Sequence, residues 1–246
     1  MSVSLSRTDP IDDVAEPAGP TYRLSTDQYS RMKSEAIFGP TDQVRLIEGI
    51  LCIVGASSGP SFYRLSVEQY RKIADADILT NDDRVELLEG WLFAKMSKKP
   101  PHTIAKGLTQ DALIALVPTG WFVAIEDAVT AIDSQPEPDI AIVRGSRRDY
   151  RAGAAGSQEV ALVAEVSYSS LPIDRSIKKR MYARSGFPIY WLINLIDGRI
   201  EVYTDPSGPT ESPDYLHRED FGPDDGIPVV IAGREVGRLL VRDLLS

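Results

Sequence analysis

The sequence predicts a mixed α/β domain, a central β-sheet flanked by helices. Three observations predict it. The continuous apolar run Val160 to Val166 reads as a strand covered on both faces. Runs with helical spacing precede and follow such strands. Asp197-Gly198 separates Tyr190-Trp-Leu-Ile-Asn194 from Arg199-Ile-Glu-Val-Tyr203, the signature of a hairpin.

The elements are expected in this order. Tyr22-Arg-Leu-Ser-Thr-Asp-Gln-Tyr29 is echoed 41 residues on by Tyr63-Arg-Leu-Ser-Val-Glu-Gln-Tyr70, and Leu46-Ile-Glu-Gly49 by Leu87-Leu-Glu-Gly90. Each copy reads as a helix opened by a serine capping box (Ser25 with Gln28, Ser66 with Gln69), a turn and a strand. A further strand is expected over Gly90 to Met96, then a loop at Lys98-Lys-Pro-Pro101. A helix follows over His102 to Leu116, buried along Ile104, Leu108, Ala112 and Ala115. Short strands are expected at Trp121 to Ile125 and Val129 to Ile132. Pro136 and Pro138 carry the chain extended into Asp139, which leads the apolar run to Val143. After Val160 to Val166 come a turn at Ser169 to Pro172 and a helix over Asp174 to Ser185 with Ile177 and Met181 inward. Gly186 ends that helix. The proline-rich, acidic tail is expected to form short strands around Val229 to Ile231 and Val236 to Val241. The expected organisation is a disordered tail at 1–20, a degenerate first repeat at 21–61, a main domain at 62–204 and a β extension at 205–246.

Composition narrows the function. A formal charge of −9 argues against a simple nucleic-acid binder, although local clusters such as Lys95, Lys98, Lys99 and Lys106 can meet phosphate. One cysteine excludes an intrachain disulfide, and two histidines argue against a histidine-rich metal site. No apolar run approaches the ~20 residues of a membrane span, and no signal-peptide segment is expected, so the expected location is cytoplasmic. Glycosidase and serine-hydrolase chemistries are not expected.

Two acids mark the ends of apolar runs, Asp139 and Glu165, and Lys178 lies on the helix that follows. Carboxylates bind hard divalent cations through oxygen, and such a cation with a nearby ammonium suits phosphodiester hydrolysis. Taken singly, each residue has a plainer reading. Asp139 is a strand-start residue, Glu165 one half of a buried ion pair, Glu86 a strand residue, Asp174 a helix cap and His102 a helix start. Their shared position at element ends favours chemistry.

Asp83-Arg-Val-Glu-Leu-Leu-Glu-Gly90, Pro101-His102, Glu137-Pro-Asp139, Leu162-Val-Ala-Glu-Val166, Asp174-Arg-Ser-Ile-Lys178 and Tyr182-Ala-Arg-Ser-Gly-Phe-Pro-Ile-Tyr-Trp-Leu192 resemble the Uma-two-type restriction endonuclease family of the PD-(D/E)XK nuclease superfamily. The resemblance covers roughly Tyr63 to Tyr203. It implies a restriction-endonuclease-like core with the acids at one end of the sheet. It also implies a Mg2+- or Mn2+-dependent endonuclease acting on DNA. Asp139, Glu165, Glu86 and the Val166 carbonyl would hold the metal, Lys178 would position water, and His102 would contact phosphate or relay a proton. Ser167 stands where the family's usual lysine falls, two residues after Glu165, and Lys178 is its expected replacement. The oligomeric state is open; a two-fold homodimer would suit a nuclease that cuts both strands, and the first repeat could supply its contact. The alternative is an inactive nuclease-like fold that binds nucleic acid or protein.

Overall fold

The computed structural model describes residues 17, 19–54 and 61–245; the tail expected at 1–20 falls almost wholly outside them. Two helix–hairpin units come first. Helix α1 (Thr26–Ser34) precedes β1 (Val44–Ile47) and β2 (Ile50–Ile53), and the short β3 (Ser61–Phe62) leads into α2 (Val67–Asp75), β4 (Val85–Leu88) and β5 (Trp91–Ala94). Both capping boxes form: Ser25 and Ser66 accept from the backbones of Gln28 and Gln69, whose side chains accept from the serine backbones.

Helix α3 (Pro100–Leu116) starts on two prolines, which lack the N–H that a first turn leaves unused. Then come β6 (Trp121–Ile125), β7 (Val129–Thr130), β8 (Ile140–Arg144), β9 (Ala155–Gly156) and β10 (Val160–Ser167). Next, α4 (Leu171–Ile173), a π-helical turn (Asp174–Lys178) and α5 (Lys179–Arg184) follow without a break. The chain closes with β11 (Ile189–Asn194), β12 (Arg199–Pro206), β13 (Tyr215–Phe221), β14 (Gly226–Ile231) and β15 (Arg234–Leu240).

The main sheet has the order β13-β12-β11-β10-β8-β6. β10 pairs in parallel with β11 and antiparallel with β8, so the sheet is mixed as expected. Every residue of β10 is buried. Its period-two alternation divides them: Val163 faces a core built with Met181, Tyr182 and Phe187 from the α5 side, while Leu162, Ala164 and Val166 face one built with Ala105 and Leu113 of α3 and Ile227 and Val229 of β14. Truncating Leu162 to alanine here would cost about 2–5 kcal/mol.

The antiparallel register fixes the site. Ala164 of β10 lies opposite Ile140 of β8. The start of β8 therefore meets the end of β10, and Asp139 is delivered beside Glu165. Both acids lie on the α5 face, because Asp139 shares the parity of Ala141 and Val143, and Glu165 that of Val163.

Several expectations need correction. Helix α3 does not bury Ile104, Leu108 and Ala115, and of the expected four only Ala112 packs, half-buried, against the core. Its buried residues are His102, Ala105, Thr109 and Leu113, and Ile104 and Leu108 are exposed. The helix carries two apolar stripes, and the one that packs is the one that also brings His102 to Asp139. The strand expected through Ile132 ends at Thr130, with Ile132 exposed. The helix at 174 opens as a π turn. β13 was not expected: five polar or exposed residues in its middle hide the strand period, yet it pairs with β12 and continues the sheet beyond residue 205.

Candidate active site

Asp139 is almost fully buried and its carboxylate is held from three sides. The Val166 N–H donates to Oδ2 at 2.9 Å, His102 Nε2 lies 3.0 Å from the same oxygen, and Lys98 Nζ donates to Oδ1 at 2.8 Å. Burial by itself raises the Asp139 carboxyl; His102 and Lys98 outweigh it and hold the group well below the usual carboxylate range. Lys98 also reaches Glu126 at 2.5 Å, and Lys106 joins the same carboxylate.

Glu165 stands one residue before Val166. Its Oε1 accepts from Lys178 Nζ and from the Tyr182 hydroxyl, each at 2.9 Å. Lys178 Nζ is also 3.4 Å from Glu86 Oε1 and 4.0 Å from Asp174 Oδ1. One ammonium thus faces three buried carboxylates. Burial, reinforced by Asp174, Asp139 and Glu86, pushes Glu165 up to about 8 against the pull of Lys178. Asp174 is raised too, first by burial. Burial alone would lower Lys178; the three acids overcome it and hold its ammonium well above the usual lysine value. Burial thus favours the protonated form of both acids, while Lys178 stays charged between them.

The local sequence explains how each group arrives. The β4–β5 hairpin brings Glu86 against the cluster, and Glu86 Oε2 accepts from the Glu137 N–H at 3.4 Å. The π turn adds one residue to a helical loop, and this turn carries Asp174 and Lys178. The Ser167 hydroxyl donates to Asp174. Ser167, standing where the family's lysine falls, thus holds the acid at the start of the helix that supplies Lys178.

Glu86, His102, Asp139, Glu165, Val166 and Lys178 all line one cavity of about 350 Å³. Sequence reasoning did not single out Lys98, Glu126 or Tyr182 as site residues. Glu126 follows β6 as Asp139 precedes β8, so its element-end position was a usable signal. Nothing in the local pattern distinguishes Tyr182 from a core aromatic. Asp174, read as a helix cap, belongs to the buried cluster. Gly55-Ala-Ser-Ser-Gly59 has the spelling of a nucleophile elbow, which the expectation against a serine hydrolase passed over. It lies outside the described residues, and the next described element is the strand β3, not the helix that such chemistry needs.

The donor chemistry fits a hard divalent cation: Asp139, Glu165, Glu86 and Asp174 supply oxygen around one cavity. His102, whose Nε2 faces Asp139, lines the same cavity, and its Nδ1 is buried without a hydrogen-bond partner. Among the described residues no three acidic, histidine or cysteine groups converge to hold an ion as they stand. The nearest counter-charges are Lys98 on Asp139 and Lys178 on Glu165.

Comparison with known proteins agrees with the family and the fold. The family model of Uma2, described as "Putative restriction endonuclease", matches residues 67–232. No curated protein matches the chain. A crystal structure of a "putative nuclease belonging to DUF820" from Anabaena variabilis is similar in fold, with a TM-score of 0.55 at 18% identity, over 73% of this chain and 97% of that one.

Proposed function

Because the chain belongs to the Uma2 restriction-endonuclease family, we propose that it is a metal-dependent endonuclease hydrolysing DNA phosphodiester bonds. The observation that carries this reading is the convergence of Asp139, Glu165, Glu86, Val166, Lys178 and His102 on one cavity. Asp139, Glu165 and Glu86, with the Val166 carbonyl, would hold Mg2+ or Mn2+. The ion would supply Lewis-acid polarisation of the phosphate and a more acidic water.

The protein's own groups do the rest. The Val166 N–H and His102 fix the orientation of Asp139, so that carboxylate is preorganised and ionised. Tyr182 and Lys178 hold Glu165. Lys178, released from Glu165, positions a water and stabilises negative charge on the phosphate. His102, held by Asp139 through Nε2, would contact the phosphate or relay a proton. Arg84, Lys95, Lys98 and Lys99 line the same cavity as the acids and can meet the phosphates of a polyanion despite the net charge of −9. Among the described residues no helix is long and apolar enough to cross a membrane.

A second reading, an inactive nuclease-like fold serving as a binding module, draws on one observation: the acids are already paired with Lys98 and Lys178. Calorimetric titration with Mn2+ separates the two. The endonuclease reading expects saturable binding that Asp139→Ala removes. Heat no different from buffer, with no rise in melting temperature, sinks it and leaves the binding module.

A further inference from the structure

The two helix–hairpin units exchange strands, and they do so reciprocally. The Tyr22 N–H of the first donates to the Leu92 carbonyl of the second at 2.8 Å, and the Tyr63 N–H that opens the second donates to the Leu51 carbonyl of the first at 2.8 Å. The Tyr22 hydroxyl donates to Asp83 at 2.6 Å, and that of Tyr63 to Asp42 at 2.9 Å. Gln28 reaches the Ile78 carbonyl, and Gln69 the Ile37 carbonyl. In every pair, adding 41 to one partner and subtracting it from the other gives the mirror contact. The core between the units obeys the same rule: Leu24 with Leu65, Met32 with Ile73, Val44 with Val85 and Leu51 with Leu92 share one cluster.

An interface in which residue i meets j while j meets i is the signature of a two-fold homodimer. Here both halves belong to one chain. The edge of β2 is taken by β3 and that of β5 by the segment at Thr21, so the pairing is closed. The first unit is not a second catalytic half. Exposed Arg45 stands where the second unit has Glu86, and it is the second hairpin that is hydrogen-bonded onward, through the Gln135 N–H to the Leu87 carbonyl at 2.8 Å.

We propose that the first unit is a built-in replacement for a partner subunit. It fills the surface on which another copy of the helix–hairpin unit would pair, and leaves the protein a monomer with one candidate active site. A single site cuts one strand per encounter, so the substrate product is a nick. The nick rests on the endonuclease reading; the monomer does not.

Sedimentation equilibrium of the full chain tests the association across the micromolar range. The expected mass is that of one chain, and a two-chain mass overturns the proposal. Deleting residues 55–60 leaves every described pairing surface intact but only Val54 to join the antiparallel β2 and β3. The expected result is a folded two-chain species formed by exchange; a folded single chain overturns the proposal. Should the deletion variant fail to fold, the wild-type mass decides alone. On supercoiled plasmid with Mn2+, nicked circles are expected to accumulate at a rate proportional to protein concentration. Direct linearisation with second-order dependence contradicts the single site. Absence of any cleavage defeats the endonuclease reading, while the mass still judges the internal pairing.

Discussion

The Val166 N–H donates to Asp139 Oδ2 at 2.9 Å, joining the acid that starts β8 to the residue that follows the acid in β10. One backbone hydrogen bond therefore sets the spacing of Asp139 and Glu165 before any ligand arrives. A carboxylate fixed in this way loses little orientational freedom on binding a cation or phosphate.

Asp139→Ala strands His102 and the Val166 N–H and leaves Lys98 with Glu126 as its remaining carboxylate. Loss of one member of a buried charged pair costs about 3–5 kcal/mol. Urea unfolding is expected to show a loss of that order, with Asp139→Asn retaining part of it because the amide oxygen can still accept from Val166. Equal stability of all three proteins would mean that the triple contact contributes nothing.

Lys178→Met leaves Glu86, Glu165 and Asp174 without their shared ammonium. Its melting temperature is expected to fall below wild type in chelator, and Mn2+ to restore more of it than it adds to wild type, since the ion then replaces the missing charge. A variant that ignores Mn2+ would place the ion-binding acids elsewhere.

Glu165 gives a pH signature. Its folded value of about 8 lies above the ordinary ~4.3 of an unfolded glutamate. Between these values the native state holds the extra proton, so stability falls as pH rises through the window, by at most about 1.4 kcal/mol per pH unit. Above pH 8 the carboxylate is ionised in both states and the slope ends. Mn2+ affinity runs the other way and strengthens toward pH 8 as the proton leaves. Denaturant melts and titrations at pH 6 and pH 8 check both signs, and Glu165→Gln is expected to flatten both profiles.

The capping boxes report on the joined units. Ser25→Ala and Ser66→Ala each remove a side-chain cap worth about 1 kcal/mol. Since both helices feed one core, each variant is expected to shift the same unfolding transition. Separate transitions for the two substitutions would show the units to be independent.

Much of this was legible because it rests on local patterns. The repeat, both capping serines, β10 and the hairpin at Asp197-Gly198 follow from spacing and turn chemistry. Asp139, Glu165 and Lys178 could be named because charge at the end of an apolar run is costly without a purpose. Helix α3 misled because apolar periodicity does not say which of two stripes packs; the contact from His102 to Asp139, 37 residues away, selects it. β13 was hidden because only its end residues, Tyr215 and Phe221, are buried. Lys98 and Tyr182 act through partners distant in sequence, and no local rule links them to Asp139 or Glu165.

The most direct measurement is cleavage of plasmid DNA in Mn2+ by wild type, Asp139→Ala and Glu165→Ala, each first shown to be folded by circular dichroism. Cleavage by wild type alone is the predicted result. Equal cleavage by all three proteins would contradict the assignment of the two acids.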